Sequence, residues 1–141
     1  MTLAKSLGSG VPVGACLVNE RVSKDIKIND LGTTFGGGML AMAAVSATLD
    51  AIESENMIAN VKMFEQNLRF SLAGIEGIST VRGKGCLIGI EFIGPCAPVH
   101  AKLLENKIIT GTSSDPRVLR LLPPLCVSDD ELNLLVEVLA N

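Results

Sequence analysis

The chain has 141 residues, which is enough for one hydrophobic core of ordinary size. Apolar residues make up 48% of it but aromatic residues only 3%, so the core must be aliphatic and base stacking on a nucleic acid is poorly supported. The 12 basic and 15 acidic residues give a net charge of −3 without a long basic run, which argues against a nucleic-acid or anionic-membrane surface.

The cysteines carry little sign of a metal site. The 4 cysteines lie far apart without a C-x-x-C pair, and there is 1 histidine, so a zinc cluster is not expected. Free thiols in a reducing cytoplasm fit best, although pairing in an oxidising compartment stays open. Cys86 and Cys126 are interpreted as small core residues.

The longest apolar run, residues 39–49, is too short and too rich in small side chains to span a bilayer.

The first 30 residues predict short elements. Residues 1–4 are typical of the end of a strand, Lys5 follows, and residues 6–10 form a glycine-containing loop without a helical pattern. Residues 13–18 are almost wholly apolar and predict a strand covered on both faces. Residues 19–30 mix charges with single apolar positions and predict a surface turn or a short helix.

A glycine-rich joint at residues 33–38 leads into an Ala-rich helix. Residues 40–52 are small or apolar on nearly every side, which predicts a buried helix. Glycine allows a close approach of the backbone to a ligand, and the first amides of a helix have no partner within it, so this joint is a candidate anion site. Thr34 either adds a hydroxyl to that site or caps the helix.

Polar residues 53–56 predict a domain joint near Glu55, and the remainder predicts a compact α+β unit. Its predicted elements are a helix at 57–72, strands at 78–81 and 86–93 around a turn at 83–85, a helix at 95–106, strands at 108–110 and 118–122, and a last helix capped by Ser128. Arg82 is assigned a role in stabilising the turn.

Arg120 is the charged residue that stands out in this second half, because it lies in an apolar strand beside Val118 and Leu122. A charge in such a place needs an anionic partner. A carboxylate ligand held by two parallel hydrogen bonds and a salt bridge to a nearby Asp or Glu are both open on the residues alone.

Four segments in order resemble one enzyme family. Residues 2–15 (TLAKSLGSGVPVGA) are similar to the lysine segment of the class III pyridoxal-phosphate-dependent aminotransferases, with the acetylornithine and ornithine branch as the nearest match. Residues 32–38 (GTTFGGG), 82–85 (RGKG) and 118–125 (VLRLLPPL) resemble three further blocks of that family. The resemblance therefore covers almost the whole chain.

This resemblance implies an α/β fold class, the C-terminal part of the aspartate-aminotransferase-like fold. Residues 1–54 would be a remnant of the large cofactor-binding domain with its linking helix. Residues 55–141 would be a small α+β domain with an antiparallel sheet and helices. The family's phosphate loop, the aromatic residue stacked on the cofactor ring and the aspartate at the ring nitrogen have no counterpart before Lys5. The isolated chain is therefore expected to be inactive.

The resemblance also assigns the site. Lys5 would bind pyridoxal phosphate covalently, Thr34 would hold its phosphate from the neighbouring subunit of a dimer, and Arg120 would hold the substrate α-carboxylate. On the residues alone, a solvent-exposed surface lysine is favoured over a catalytic one at Lys5. The implied reaction moves an amino group between an acetylornithine-like or ornithine-like amine and 2-oxoglutarate, in the cytoplasm. The alternative is a non-catalytic fragment or interaction domain that self-associates through orphaned apolar surface.

Overall fold

The computed structural model describes all residues 1–141. Its contacts divide the chain into two units, Met1–Glu55 and Asn56–Asn141. The longest helices have 16 residues, and none combines the length and hydropathy that a bilayer crossing needs.

The first unit contains little regular sheet. Strands β1 (Thr2–Leu3) and β2 (Ala15–Cys16) pair antiparallel and are joined by a segment that begins with a 3-10 turn. That turn, Lys5–Gly8, packs against helix α2 (Met39–Ser54), and the short helix α1 (Glu20–Ser23) lies between them in sequence. The predicted short surface helix is thus confirmed, whereas a 3-10 turn stands where an irregular loop was expected.

The predictions of burial in the first unit are wrong. Of the run at residues 13–18 only β2 is a strand, and both of its residues are exposed. Helix α2 begins directly after Gly38 as predicted, but none of its residues is buried. Gly8 is the only buried residue of the unit. The apolar pattern predicts burial only if a second layer exists, and this unit supplies none.

The second unit is a four-stranded antiparallel sheet with three helices, as the α+β prediction requires. The strand order is β3-β4-β6-β5. The elements in chain order are helix α3 (Met57–Leu72), strands β3 (Ile78–Lys84) and β4 (Leu87–Phe92), helix α4 (Ala97–Glu105), strands β5 (Gly111–Thr112) and β6 (Val118–Leu121), and helix α5 (Asp129–Ala140).

The core of this unit lies between the sheet and its helices. One face of α3 is buried at helical spacing, as predicted, and it includes the fully covered Leu68. Ile88 and Ile90 of β4 and Leu119 of β6 cover the opposing side. Each such aliphatic side chain contributes roughly 1.5–3 kcal/mol when it leaves water, so this unit has the hydrophobic core that the first unit lacks.

The β3–β4 hairpin is confirmed, but its turn lies later than predicted. Lys84 pairs with Leu87, which leaves Gly85 and Cys86 as the two-residue connection. Gly83 is the last but one residue of β3 and has φ of 112°, a conformation that side-chain-bearing residues rarely adopt. A Cβ atom at this position would also collide with the carbonyl oxygen of Leu87.

One acidic and one basic side chain of α3, Glu65 and Arg69, hold this hairpin by hydrogen bonds. The amide of Gly85 donates to Oε2 of Glu65 at 2.7 Å, and Arg69 donates to Glu65 and to the carbonyls of Val81 and Gly83. The Gly85 amide, helped by Arg69, holds the pKa of Glu65 below its usual value of 4.5. The turn is therefore fastened to α3 by charge-assisted hydrogen bonds.

The third predicted strand is wrong in position. The amide of Ile108 donates to Leu103 at 2.8 Å, so the chain after α4 wraps onto the end of that helix instead of pairing. The carbonyl of Thr110 is 3.3 Å from Nε2 of His100, and pairing begins only at Gly111. Residues 108–110 satisfy a strand pattern, but the amide of Ile108 and the carbonyl of Thr110 face partners in α4.

The last helix confirms its predicted cap. Ser128 accepts a hydrogen bond from the amide of Glu131, and the Glu131 carboxylate accepts one from the amide of Ser128 at 2.8 Å. The expectation for the cysteines is wrong in one case, because Cys126 is exposed beside this cap; Cys86 is only partly covered.

Candidate functional site

Lys5 is held in an uncommon backbone conformation. It begins the 3-10 turn with φ of 56°, directly after the extended residue Ala4. The left-handed region costs a non-glycine residue on the order of 1–3 kcal/mol, and such outliers concentrate at functional sites. The side chain is exposed and forms no hydrogen bond or ion pair. The sequence pattern does not reveal this conformation.

The turn is closed tightly at its far end. An added Cβ atom at Gly8 would lie 2.7 Å from Cγ1 of Val13, which is too close for any side chain there without a shift. The turn also packs against α2. Lys5 therefore stands on a fixed backbone although its own side chain is exposed.

The glycine-rich joint forms two successive turns before α2. The amide of Gly36 donates to Thr33 at 3.2 Å, and the amide of Gly38 donates to Phe35 at 3.3 Å. The N-cap of α2 is Gly38, without a side-chain cap, so the interpretation of Thr34 as the cap is wrong. Thr34 is exposed, and the start of α2 keeps amides that no side chain satisfies. Those donors fit an anion.

Arg120 lies in a row of paired residues that runs across all four strands of the sheet. Gly89 of β4 and Gly111 of β5 are its directly paired neighbours. The residue is exposed, on the face opposite the core, and it forms no ion pair or side-chain hydrogen bond. A salt bridge to a nearby acid, which the residues alone left open, is not found in this structure.

The other cations on this face are paired. Glu91 contacts Arg82 at 3.0 Å and Arg117 at 3.4 Å, and Arg117 also contacts Asp115 at 3.3 Å. The hydrogen bond with Asp115 raises the pKa of Arg117, and the Arg117 backbone amide and guanidinium lower the pKa of Asp115. The turn role assigned to Arg82 is therefore wrong. Alternation in β4 places Glu91 on the outer face and could have revealed this cluster.

The structure places two of the three predicted residues in one unit. Lys5 and Thr34 belong to the first unit, where the turn of Lys5 contacts the helix that follows the joint of Thr34. Arg120 belongs to the second unit. The set offers an amine, a hydroxyl four residues before the N-cap of α2, and a guanidinium. No group of three or more His, Cys, Asp or Glu residues could hold a metal ion.

Comparison with known proteins identifies one enzyme family. The family model described as aminotransferase class-III matches residues 1–141. Acetylornithine aminotransferase 1 of Bordetella bronchiseptica is 41% identical over 143 residues, which cover 99% of this chain and 36% of that protein. Acetylornithine aminotransferase of Archaeoglobus fulgidus is 37% identical over 141 residues, covering 100% of this chain and 36% of that protein. The chain thus spans about a third of these relatives.

Solved structures of two aminotransferases are similar to the structure of this chain. Acetylornithine aminotransferase from Elizabethkingia anophelis superposes with a TM-score of 0.87 at 28% identity, covering 99% of this chain and 39% of that one. Ornithine aminotransferase from Toxoplasma gondii superposes with a TM-score of 0.86 at 28% identity, covering 99% and 35%. The fold class predicted from the sequence, an α/β portion of this aminotransferase fold with helices and antiparallel sheet, is confirmed.

Proposed function

Because the chain belongs to the class-III aminotransferase family, we propose that it is the C-terminal portion of a transaminase and carries part of a pyridoxal-phosphate site. The observation that carries the proposal is the unbroken match over residues 1–141, within which Lys5 has a strained backbone. Residues 1–54 are the proposed remnant of the large domain with its linking helix, and residues 55–141 are the small domain. The proposed reaction moves an amino group between an acetylornithine-like or ornithine-like amine and 2-oxoglutarate.

The residues of the first unit fit two parts of the cofactor. The amine of Lys5 suits an aldehyde, and the Thr34 hydroxyl with the uncapped start of α2 suits a phosphate. Pyridoxal phosphate, when bound, supplies an electron sink that stabilises negative charge at the amino carbon. Lys5 would bind the cofactor and then carry the proton to and from that carbon, while Thr34 would hold the phosphate of the partner subunit's site in a dimer.

Arg120 is the proposed clamp for the substrate α-carboxylate. A guanidinium has five N–H donors in a rigid fork that matches a carboxylate with two parallel hydrogen bonds. All of them lack a partner in this structure, in contrast to those of Arg82 and Arg117. Binding there would fix the direction of the substrate as well as its charge.

The isolated chain is proposed to be inactive, because Lys5 remains in water. Exclusion of water from the Lys5 amine would require residues that cover the turn. Only Gly8 is buried in the first unit. We propose a cytoplasmic location, which fits the 4 free cysteines.

A second candidate is a non-catalytic fragment that self-associates. The observation that favours it is the surface around the joint and α2, where Phe35 is 89% and Met39 90% exposed. A large exposed apolar patch marks a contact with another protein. A second copy of the chain could cover it without any cofactor chemistry.

Borohydride trapping separates these two candidates. The chain is mixed with pyridoxal phosphate, reduced, digested and analysed by mass spectrometry for the labelled lysine. It is tested alone and as a chimera in which it replaces the matching part of the Bordetella enzyme. We expect the chimera to be labelled at Lys5 and to transaminate. Lys5→Ala should abolish both the label and the activity. The control Lys24→Ala, at an exposed lysine of the same unit, should retain the label at Lys5 and the activity.

The opposite results are equally informative. A folded chimera in which Lys5 is labelled no faster than Lys24 would refute the catalytic proposal. Light scattering on the chain alone tests the second candidate, which predicts dimers or larger species. A monomer over a wide concentration range would exclude self-association.

A further inference from the structure

We propose that Gly111 is a positioning residue that seats the guanidinium of Arg120 in the orientation that receives a carboxylate. The inference rests on the proposed function of Arg120 as a carboxylate clamp. It adds a residue outside the recognised motif and explains why a glycine stands at that point of β5.

The seat is visible in the space beside Gly111. A Cβ atom built there would lie 3.2 Å from Nε and 3.4 Å from Nη2 of Arg120. The two residues are directly paired between β5 and β6. The guanidinium therefore lies over the position that any other residue would fill with its side chain.

The opposite neighbour does not offer the same space. A Cβ atom at Gly89 would lie 3.3 Å from Cγ1 of Val118 and 3.7 Å from Cγ of Arg82, with no atom of Arg120 among its nearest contacts. The stem of Arg82 thus passes over Gly89 towards Glu91, and Arg120 leans the other way, over β5. The side chain of Arg82 therefore lies over Gly89, and the side chain of Arg120 lies over Gly111.

The seat matters because a flexible arginine loses freedom when it binds. Immobilising a long side chain weakens binding, and a preformed orientation removes this part of the cost. Glu91 and Asp115 already neutralise Arg82 and Arg117, so Arg120 is the cation of this face that is open to a ligand. A seated, unpaired guanidinium recognises a planar carboxylate.

Gly111 can be changed without strain in the backbone. Its φ is not positive, unlike that of Gly83 or Gly85, so alanine suits the conformation of the strand. The three atoms nearest to the added methyl group would all belong to Arg120, two in its side chain and one its carbonyl oxygen. Gly94 is the matched control, because it also lacks a positive φ and its Cβ position is open space.

The test uses NMR of arginine Nε–Hε groups in the full chain. The Arg120 signal is identified by its loss in Arg120→Lys. Without ligand, we expect Gly111→Ala to shift this signal and to lower its ¹⁵N heteronuclear NOE, while Gly94→Ala leaves it unchanged. An unchanged signal in Gly111→Ala would show that no seat exists and would overturn the inference.

A titration with glutarate then tests the carboxylate. We expect the wild-type Arg120 signal to respond, and Gly111→Ala to bind roughly 2- to 10-fold more weakly, the ratio that corresponds to the lost preorganisation. Equal affinities would overturn the positioning role alone. A wild-type signal that ignores tens of millimolar glutarate, with the ligand-free difference intact, would instead overturn the proposed clamp and with it this inference.

Discussion

Asn60→Ala tests whether α3 fixes the loop that joins β6 to α5. The side-chain amide of Asn60 donates to the carbonyls of Leu125 and Val127, at 2.9 Å in both cases. This loop directly follows the strand of Arg120. The two hydrogen bonds therefore hold the loop that follows the Arg120 strand against α3, the principal helix of the core.

The magnitude follows from the two lost bonds. Each contributes about 0.5–1.5 kcal/mol, so their removal should cost about 1–3 kcal/mol. Alanine also favours the helix over asparagine by up to about 0.7 kcal/mol, which hides part of this loss. Asn67→Ala removes that ambiguity, because Asn67 lies in the same helix, is exposed, and makes a single contact of 3.5 Å to Asp129.

The assay is urea unfolding of the full chain, followed through resolved NMR signals of Ile90 and Leu119. Fluorescence is unsuitable because the chain contains neither tryptophan nor tyrosine. Circular dichroism is unsuitable because its signal would combine the helices of both units. We expect the unfolding free energy of Asn60→Ala to lie about 1–3 kcal/mol below that of Asn67→Ala. A difference under about 0.5 kcal/mol, with equal urea dependence, would refute the role of these hydrogen bonds.

Three further predictions concern the second unit. Glu65 has a lowered pKa, so its carboxylate stabilises the fold at a pH above its usual pKa of 4.5 and loses this effect as the pH falls through the folded pKa. Glu65→Gln should therefore reduce the fall of the urea midpoint between neutral and acidic pH, and a pH dependence equal to that of the wild type would contradict this. Gly83→Ala should destabilise by roughly 1–3 kcal/mol, since it requires a positive φ and meets Leu87, and thermal unfolding that matches Gly94→Ala would disprove the strain. Ser128→Ala should cost about 0.5–2 kcal/mol and speed amide exchange in the first turn of α5; unaltered exchange would show that the cap is dispensable.

Local signals predicted most of the second unit. Helix α3 has the predicted bounds because its apolar positions repeat at helical spacing and face a real sheet. Ser128 was found as a cap because its partner lies three residues away in sequence. The strand at 108–110 failed because its backbone bonds to α4, a contact that periodicity does not encode.

The first unit shows what composition cannot decide. An Ala-rich, apolar α2 predicts burial, yet burial needs a neighbouring layer, and no residue of α2 is buried in this chain. The candidate site was predictable only through its motifs. Lys5, Thr34 and Arg120 could be named from the resemblance, whereas the seat at Gly111 depends on the pairing register between β5 and β6, which the sequence does not specify.

The arginine of α3 that fastens the hairpin has a further consequence for the solution behaviour of the protein. β3 is an edge strand, and its residues Val81 and Gly83 present their carbonyls on the same side, away from β4. Arg69 occupies both acceptors and places a cation at the open edge. An incoming strand would lose the hydrogen bonds it needs, so Arg69 protects the sheet against edge-to-edge aggregation between copies of the chain.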